Sequence, residues 1–188
     1  MHDQLRSHKQ ALIREKPVFP DKMFPLQQGA LDSLCGVYSV LNCMNALGEL
    51  DSHAEACDRF RKVAPKIERP IPAVLEGFDP GTKQYSDVWW FGKRLARREI
   101  LKPRVKLRSS KALATQLDDS PAGGIIYFRD WEDVDLTHYT FVKKRQADGA
   151  FPLWDSYGFS MLQITPDGAF VDCRKVEVTH FWEAVCKG

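Results

Sequence analysis

The hydrophobic pattern of this chain changes period near its middle, and that change limits the folds open to it. From Gly124 onward, apolar, β-branched and aromatic residues come in short runs: Gly124-Ile-Ile-Tyr-Phe128, His138-Tyr-Thr-Phe-Val-Lys143, Phe151 to Tyr157, Met161 to Ile164, and a stretch over 169–178. Ala147-Asp-Gly-Ala150 and Pro166-Asp-Gly168 separate some of them. Runs of this length and composition read as strands, and the Asp-Gly pairs as hairpin turns. Before Gly124 the apolar positions recur at helical spacing instead. Helices first and an antiparallel meander after them make an α+β arrangement and exclude an alternating βαβ chain.

Within the first half, Ser33 to Leu47 places Val37, Tyr38, Leu41 and Met44 or Asn45 on one helical face. Asp32 or Ser33 serves as N-cap, and Gly48 stands at the C-cap. Ser52-x-x-Glu55 has the form of a capping box opening a second helix that runs to Val63. Residues 65–82 contain four prolines and two glycines and read as an irregular loop. A third helix is expected over 86–99 from Ser86, and a short one over 109–118 after Val105 and Leu107. Residues 1–24 form a polar lead-in with a short helix near Gln4 to Glu15, ended by Pro17, Pro20 and Pro25. A chain of 188 residues, 44% of them hydrophobic, supports one core and is short for two, so residues 25–188 are expected to be a single domain.

Charge and cysteine usage narrow the function classes. The net charge is only +2, and the densest basic stretch, Lys93 to Arg108, is interleaved with Leu95, Ile100, Leu101, Val105 and Leu107. That pattern reads as a solvated helix face leading into a strand, not as a nucleic-acid site. The N-terminal MHDQLRSHKQALIREKP is mixed in charge and lacks the apolar segment of a secretion signal. No run approaches the ~20 apolar residues of a membrane span. The five cysteines, Cys35, Cys43, Cys57, Cys173 and Cys186, are odd in number and form no C-x-x-C pair, which argues against a disulfide framework and a structural zinc site. The expectation is a reducing compartment, the cytosol, with export by a signal-independent route left open.

One cysteine stands apart. Cys35 falls in the first turn of the first strong helix, where backbone N–H groups stabilise a thiolate, and Gly36 behind it leaves room for a substrate carbonyl. The alternative is a small core residue at a buried helix start. A cysteine nucleophile needs an imidazole to take its proton and return it to the leaving group. His2 and His8 lie in the lead-in, His53 opens a surface helix, and His180 sits beside Phe181 and Trp182. His138 opens a strand after the acidic stretch Arg129-Asp-Trp-Glu-Asp-Val-Asp135. Asp155 lies at a comparable distance on the far side of the 147–150 turn, so adjacent strand ends bring its carboxylate to the imidazole; alternatively it caps its strand end with Ser156 and Gly158. Gln28 or Gln27, ahead of the cysteine, is a candidate donor to an oxyanion together with the Cys35 N–H, or a plain surface glutamine. Trp89, Trp90 and Trp131 are read as core packing before groove lining.

The segment Gln27-Gln-Gly-Ala-Leu-Asp-Ser-Leu-Cys-Gly-Val-Tyr-Ser-Val-Leu-Asn42 resembles the nucleophile region of papain-like cysteine peptidases, most of all the small bacterial members of the bacteriocin-leader-processing type. Thr137-His-Tyr-Thr-Phe-Val142 and Trp154-Asp-Ser-Tyr-Gly158 are similar to that family's histidine and Asn/Asp strands, in the same chain order. The resemblance implies an N-terminal helical lobe, its central helix carrying the nucleophile, packed on a C-terminal antiparallel sheet. It implies acyl transfer through a thioester on a peptide or protein substrate, with Cys35, His138, Asp155 and an oxyanion glutamine, and no cofactor. The family's glutamine stands one residue nearer the cysteine, at the position of Gly29 here, so Gln28 needs one extra loop residue. Cleavage of peptide or isopeptide bonds is the leading expectation. An acyltransferase, transglutaminase-like enzyme or amidase with the same three residues is the second, and a non-catalytic binding module is the third.

Overall fold

The computed structural model describes residues 25–26, 35–63, 88–133 and 136–186. The lead-in 1–24, the loop 65–82, the glutamines Gln27 and Gln28, and the capping candidates Asp32 and Ser33 lie outside the described residues. Four helices occur among the described residues: α1 (Cys35–Ala46), α2 (His53–Val63), α3 (Val88–Ala96) and α4 (Ser110–Asp118).

Their ends follow from local chemistry. Gly48 takes φ +68° after α1, and the Gly48 and Glu49 N–H groups donate back to Asn45 O and Met44 O, the Schellman pattern that satisfies the last carbonyls. Ser52 Oγ accepts from Glu55 N–H at 3.1 Å, while the Glu55 carboxylate reaches past Ser52 to Asp51 N–H at 2.8 Å. Ser109 caps α4 by accepting from Ala112 N–H. Helix α3 ends earlier than its apolar pattern suggests, because Arg97 turns left-handed at φ 61°.

The strands are β1 (Val105–Lys106), β2 (Gly124–Asp130), β3 (Thr137–Val142), β4 (Phe151–Trp154), β5 (Met161–Thr165), β6 (Gly168–Val171) and β7 (Arg174–Glu183). All pairings are antiparallel. The order β7-β2-β3-β4-β5-β6 returns to β7 through a β6–β7 pairing, so six strands close into a barrel, with the short β1 attached to β7. The papain-like expectation, a helical lobe packed on an antiparallel sheet, is corrected by this closure. The stretch expected as one strand over 169–178 is a hairpin. It reverses at Asp172, φ 52°, and Cys173, and the ten-residue β7 then returns along the full length of β2. A register shift between Tyr127 and Phe128 leaves Thr179 as an extra residue on β7, and such a bulge bends a strand in the way closure requires.

Closure sorts side chains by the two-residue period of a strand. Ile126, Phe128, Val142, Phe151, Leu162, Val171 and Val176 form one cluster inside the barrel. Ile125, Tyr127, Tyr139 and Phe141 face outward and are covered by Val37, Val40, Leu41 and Met44 of α1 and by Leu95 of α3. Leu113 and Leu117 of α4 join the interior cluster. A two-bond fork, Arg145 to Asp118 at 2.8 Å each, ties α4 to the β3–β4 turn. Helix α4 therefore covers the barrel end away from His138, which opens β3. No helix among the described residues is long and apolar enough to cross a membrane.

Gly124 leaves no room for a side chain on the β2–β7 seam: a Cβ there would overlap the Phe181 ring and the Trp182 carbonyl. Gly124→Ala is expected to destabilise the barrel by about 1–3 kcal/mol, the cost of overpacking a dense core. Chemical denaturation of the variant checks this; an unchanged midpoint would mean that the β2–β7 seam is loose.

Candidate active site

The barrel end opposite α4 gathers the candidate residues. His138 is the second residue of β3 and shares the inward face of Val142, so its ring points into the barrel mouth. Strand β4 ends at Trp154 because Asp155 takes over the local hydrogen bonding: its Oδ1 accepts from Tyr157 N–H at 2.7 Å and Phe159 N–H at 3.2 Å. An aspartate that bonds its own following backbone makes such a turn readily. This leaves Oδ2 free to accept from His138 Nε2 at 2.6 Å. The His138 and Asp155 side chains are both 0% exposed.

Cys35 reaches the same point from the outer layer. It is the first residue of α1, 6% exposed, and the first turn carries no acidic side chain to compete with a negative sulfur. His138 Nδ1 is buried and takes no hydrogen bond of regular geometry from a described residue. The Cys35 thiol nonetheless lies close enough to act on the ring as a hydrogen-bonding partner. With Nε2 committed to Asp155, Nδ1 is the nitrogen left for the sulfur. The ring is walled by Phe128 and Phe159, edge-on at 5.6 and 5.7 Å, and Tyr157 lies over it at 4.6 Å.

These contacts set the protonation of the site. Burial alone would pull the His138 imidazole down. The hydrogen bond to Asp155, then the nearby Cys35 thiol, and the charges of both partners outweigh it and raise the pKa to about 9. Burial likewise pushes Asp155 up, but the His138 hydrogen bond and charge, with smaller help from the nearby Thr140 hydroxyl and the Tyr157 N–H, leave its carboxyl below the usual range. At neutral pH the pair is thus an imidazolium and a carboxylate.

The remaining candidates fall elsewhere. Gln28 and Gln27 lie outside the described residues, as do His2 and His8. His53 opens α2, 3.5 Å from Cys57 Sγ, and His180 bonds Thr179 Oγ1 at 2.8 Å on β7. Trp89 packs partly buried against the core, whereas Trp131, read from sequence as core, is 62% exposed with Lys175 over its ring. The side chain of Trp90 is not among those described. Tyr157 and Asn42 are site features that the sequence reading passed over. Tyr157 adjoins the Asp155 turn, and Asn42 is a polar residue two helical turns beyond Cys35 in an apolar stripe. Among the described residues, no cluster of three or more His, Cys, Asp or Glu side chains is arranged to hold a metal ion. No protein-family model matches the chain, and no curated protein matches it in sequence. The chemistry of the site rests on the geometry of its side chains.

Proposed function

We propose that this chain is a cysteine-dependent hydrolase that cleaves amide bonds, peptide or isopeptide, through a thioester on Cys35. One observation carries the reading: a fully buried imidazole is held on one nitrogen by a carboxylate, its other nitrogen is left without a hydrogen bond among the described residues, and a helix-N-terminal cysteine lies near enough to the ring to act on its protonation. An inert core histidine has no need of both partners, whereas a nucleophile, its base and the group that orients the base need this order.

His138 is an imidazolium at neutral pH, so the reactive form of the site is a Cys35 thiolate beside it, the ring already carrying the proton that the sulfur has given up. The thiolate attacks the substrate carbonyl, and the Cys35 N–H at the head of α1 donates to the resulting oxyanion, with Gln28 as candidate second donor. The imidazolium gives its proton to the departing amine, leaving an acyl-thioester. His138, now neutral, takes a proton from water as that water attacks the thioester. The thiolate leaves, and the carboxylic acid product is released. Asp155 holds Nε2–H throughout, which keeps Nδ1 available to the sulfur. A polypeptide is the proposed substrate class, and a reducing compartment such as the cytosol the proposed setting, since all five thiols are free.

The test compares a lysate incubated with the wild type and with Cys35→Ala. The expected result is a cleaved product, or a protein adduct on Cys35 captured by acid quench, with the wild type alone. Equal product from both proteins would overturn the proposal.

A further inference from the structure

Helix α1 and the barrel each carry part of the site, and most of what joins them is apolar. Val37, Val40, Leu41 and Met44 pack on the outward face of β2 and β3. Such contact is strong but non-directional, and by itself it sets no register. The β3–β4 ladder pairs Phe141 with Trp154 and Val142 with Leu153, and it stops there. His138 and Asp155 therefore lie beyond the last rung, where no backbone ladder holds their strands together.

Asn42 stands at that rung. It is fully buried on α1, seven residues after Cys35 and so on nearly the same helical face. Its Nδ2 donates to Trp154 O at 3.2 Å, the carbonyl immediately before Asp155. Its Oδ1 accepts from Leu26 N–H at 2.6 Å, and Nδ2 also donates to Leu26 O at 3.4 Å. Ser39, also buried on α1, bonds within the helix, to Gly36 O at 2.9 Å. A buried amide costs free energy unless it is hydrogen-bonded, and an apolar residue would pack here without that demand. What the amide adds is direction.

We propose that Asn42 is a positioning residue that holds the nucleophile helix in register with the Asp155 strand, so that Cys35 meets the Nδ1 side of an imidazole oriented by Asp155. The inference rests on the Cys35–His138–Asp155 reading. Its effect is on the pairing of sulfur and ring and not only on stability.

The experiment is the pH profile of Cys35 alkylation by iodoacetamide between pH 5 and 10, read by mass spectrometry, alongside thermal melting. The wild type, His138→Ala, Asn42→Ala and Asn42→Asp are compared. Asn42→Ala is expected to lower the Cys35 rate at pH 6 by about tenfold or more and to move the profile onto that of an ordinary thiol, as His138→Ala does. Asn42→Asp keeps the side-chain size and the acceptor for Leu26 N–H but loses the donors, and it carries the test if the alanine variant does not fold. A wild-type profile with only a lowered melting temperature would overturn the proposal. Failure of both variants to fold would also overturn it, making Asn42 a folding determinant alone. If the wild type itself follows the His138→Ala profile, the Cys–His reading has failed, and this outcome is distinct from the other two.

Discussion

Replacing His138 by alanine is expected to slow the alkylation of Cys35 at neutral pH by about a hundredfold or more, the scale on which a positioned acid–base partner acts. The wild-type thiol should react ahead of Cys43, Cys57, Cys173 and Cys186. Two of those comparisons are stringent. Cys173 and Cys186 are exposed while Cys35 is buried, so access alone predicts the opposite order. Cys43 is buried like Cys35 but has no imidazole beside it among the described residues, and burial pushes its thiol up, out of reach at neutral pH. Site-resolved mass spectrometry of partly labelled protein reads all five rates at once. Uniform labelling, or labelling in the order of exposure, would remove Cys35 from the nucleophile's role.

Removing the carboxylate at Asp155 is expected to cost about 3–5 kcal/mol, because it leaves a buried imidazole that has lost its partner. Asp155→Ala should show this in chemical denaturation. Asp155→Asn is the more informative change. Oδ1 already accepts from Tyr157 and Phe159 N–H, so an amide keeps its oxygen there and turns its NH₂ toward His138 Nε2. The ring proton then moves to Nδ1, the nitrogen that serves the sulfur, and Cys35 reactivity is lost although the volume is conserved.

The same pair predicts how stability varies with pH. Folding raises His138 from 6.5 to about 9, so the folded state holds that proton more tightly than the unfolded chain. Its contribution is complete below pH 6.5 and is lost as the pH rises through about 9. Asp155 is lowered from 3.8, so its contribution is complete above that value and is lost as the pH falls through the depressed one. Wild-type stability should therefore decline on the alkaline side from pH 6.5 onward, and Asp155→Ala should flatten that limb. Equal alkaline slopes in the two proteins would show that His138 does not keep its proton through Asp155.

Much of this site was legible before any fold was known. Cys35 stands out by its place at a helix start and by Gly36, and Asp155 by its distance from the 147–150 turn, which matches that of His138. Both signals are local. Less legible was why Asp155 points where it does. The apolar run suggests a strand to Tyr157, but the carboxylate bonds its own backbone and ends β4 at Trp154. Trp131 was misjudged for a related reason: a tryptophan favours burial on average, but this one follows the last residue of β2 at the rim, where nothing described covers it except Lys175.

The sequence by itself determined the end of α1, the start of α2, the two Asp-Gly turns and the division into a helical first half and a stranded second half. Each depends on groups within a few residues of one another: a serine and an N–H three positions on, a glycine free to turn left-handed, an Asp-Gly pair between apolar runs. Only the tertiary structure decided that the strands close. Asp172 and Cys173 offer neither glycine nor proline to mark the β6–β7 turn, and the pairing of β7 with β2 joins segments about fifty residues apart, whose match depends on burying both faces together. The amide of Asn42 belongs with them: its polarity is visible in the chain, but its partner, Trp154 O, comes within reach only when α1 lies across the closed barrel.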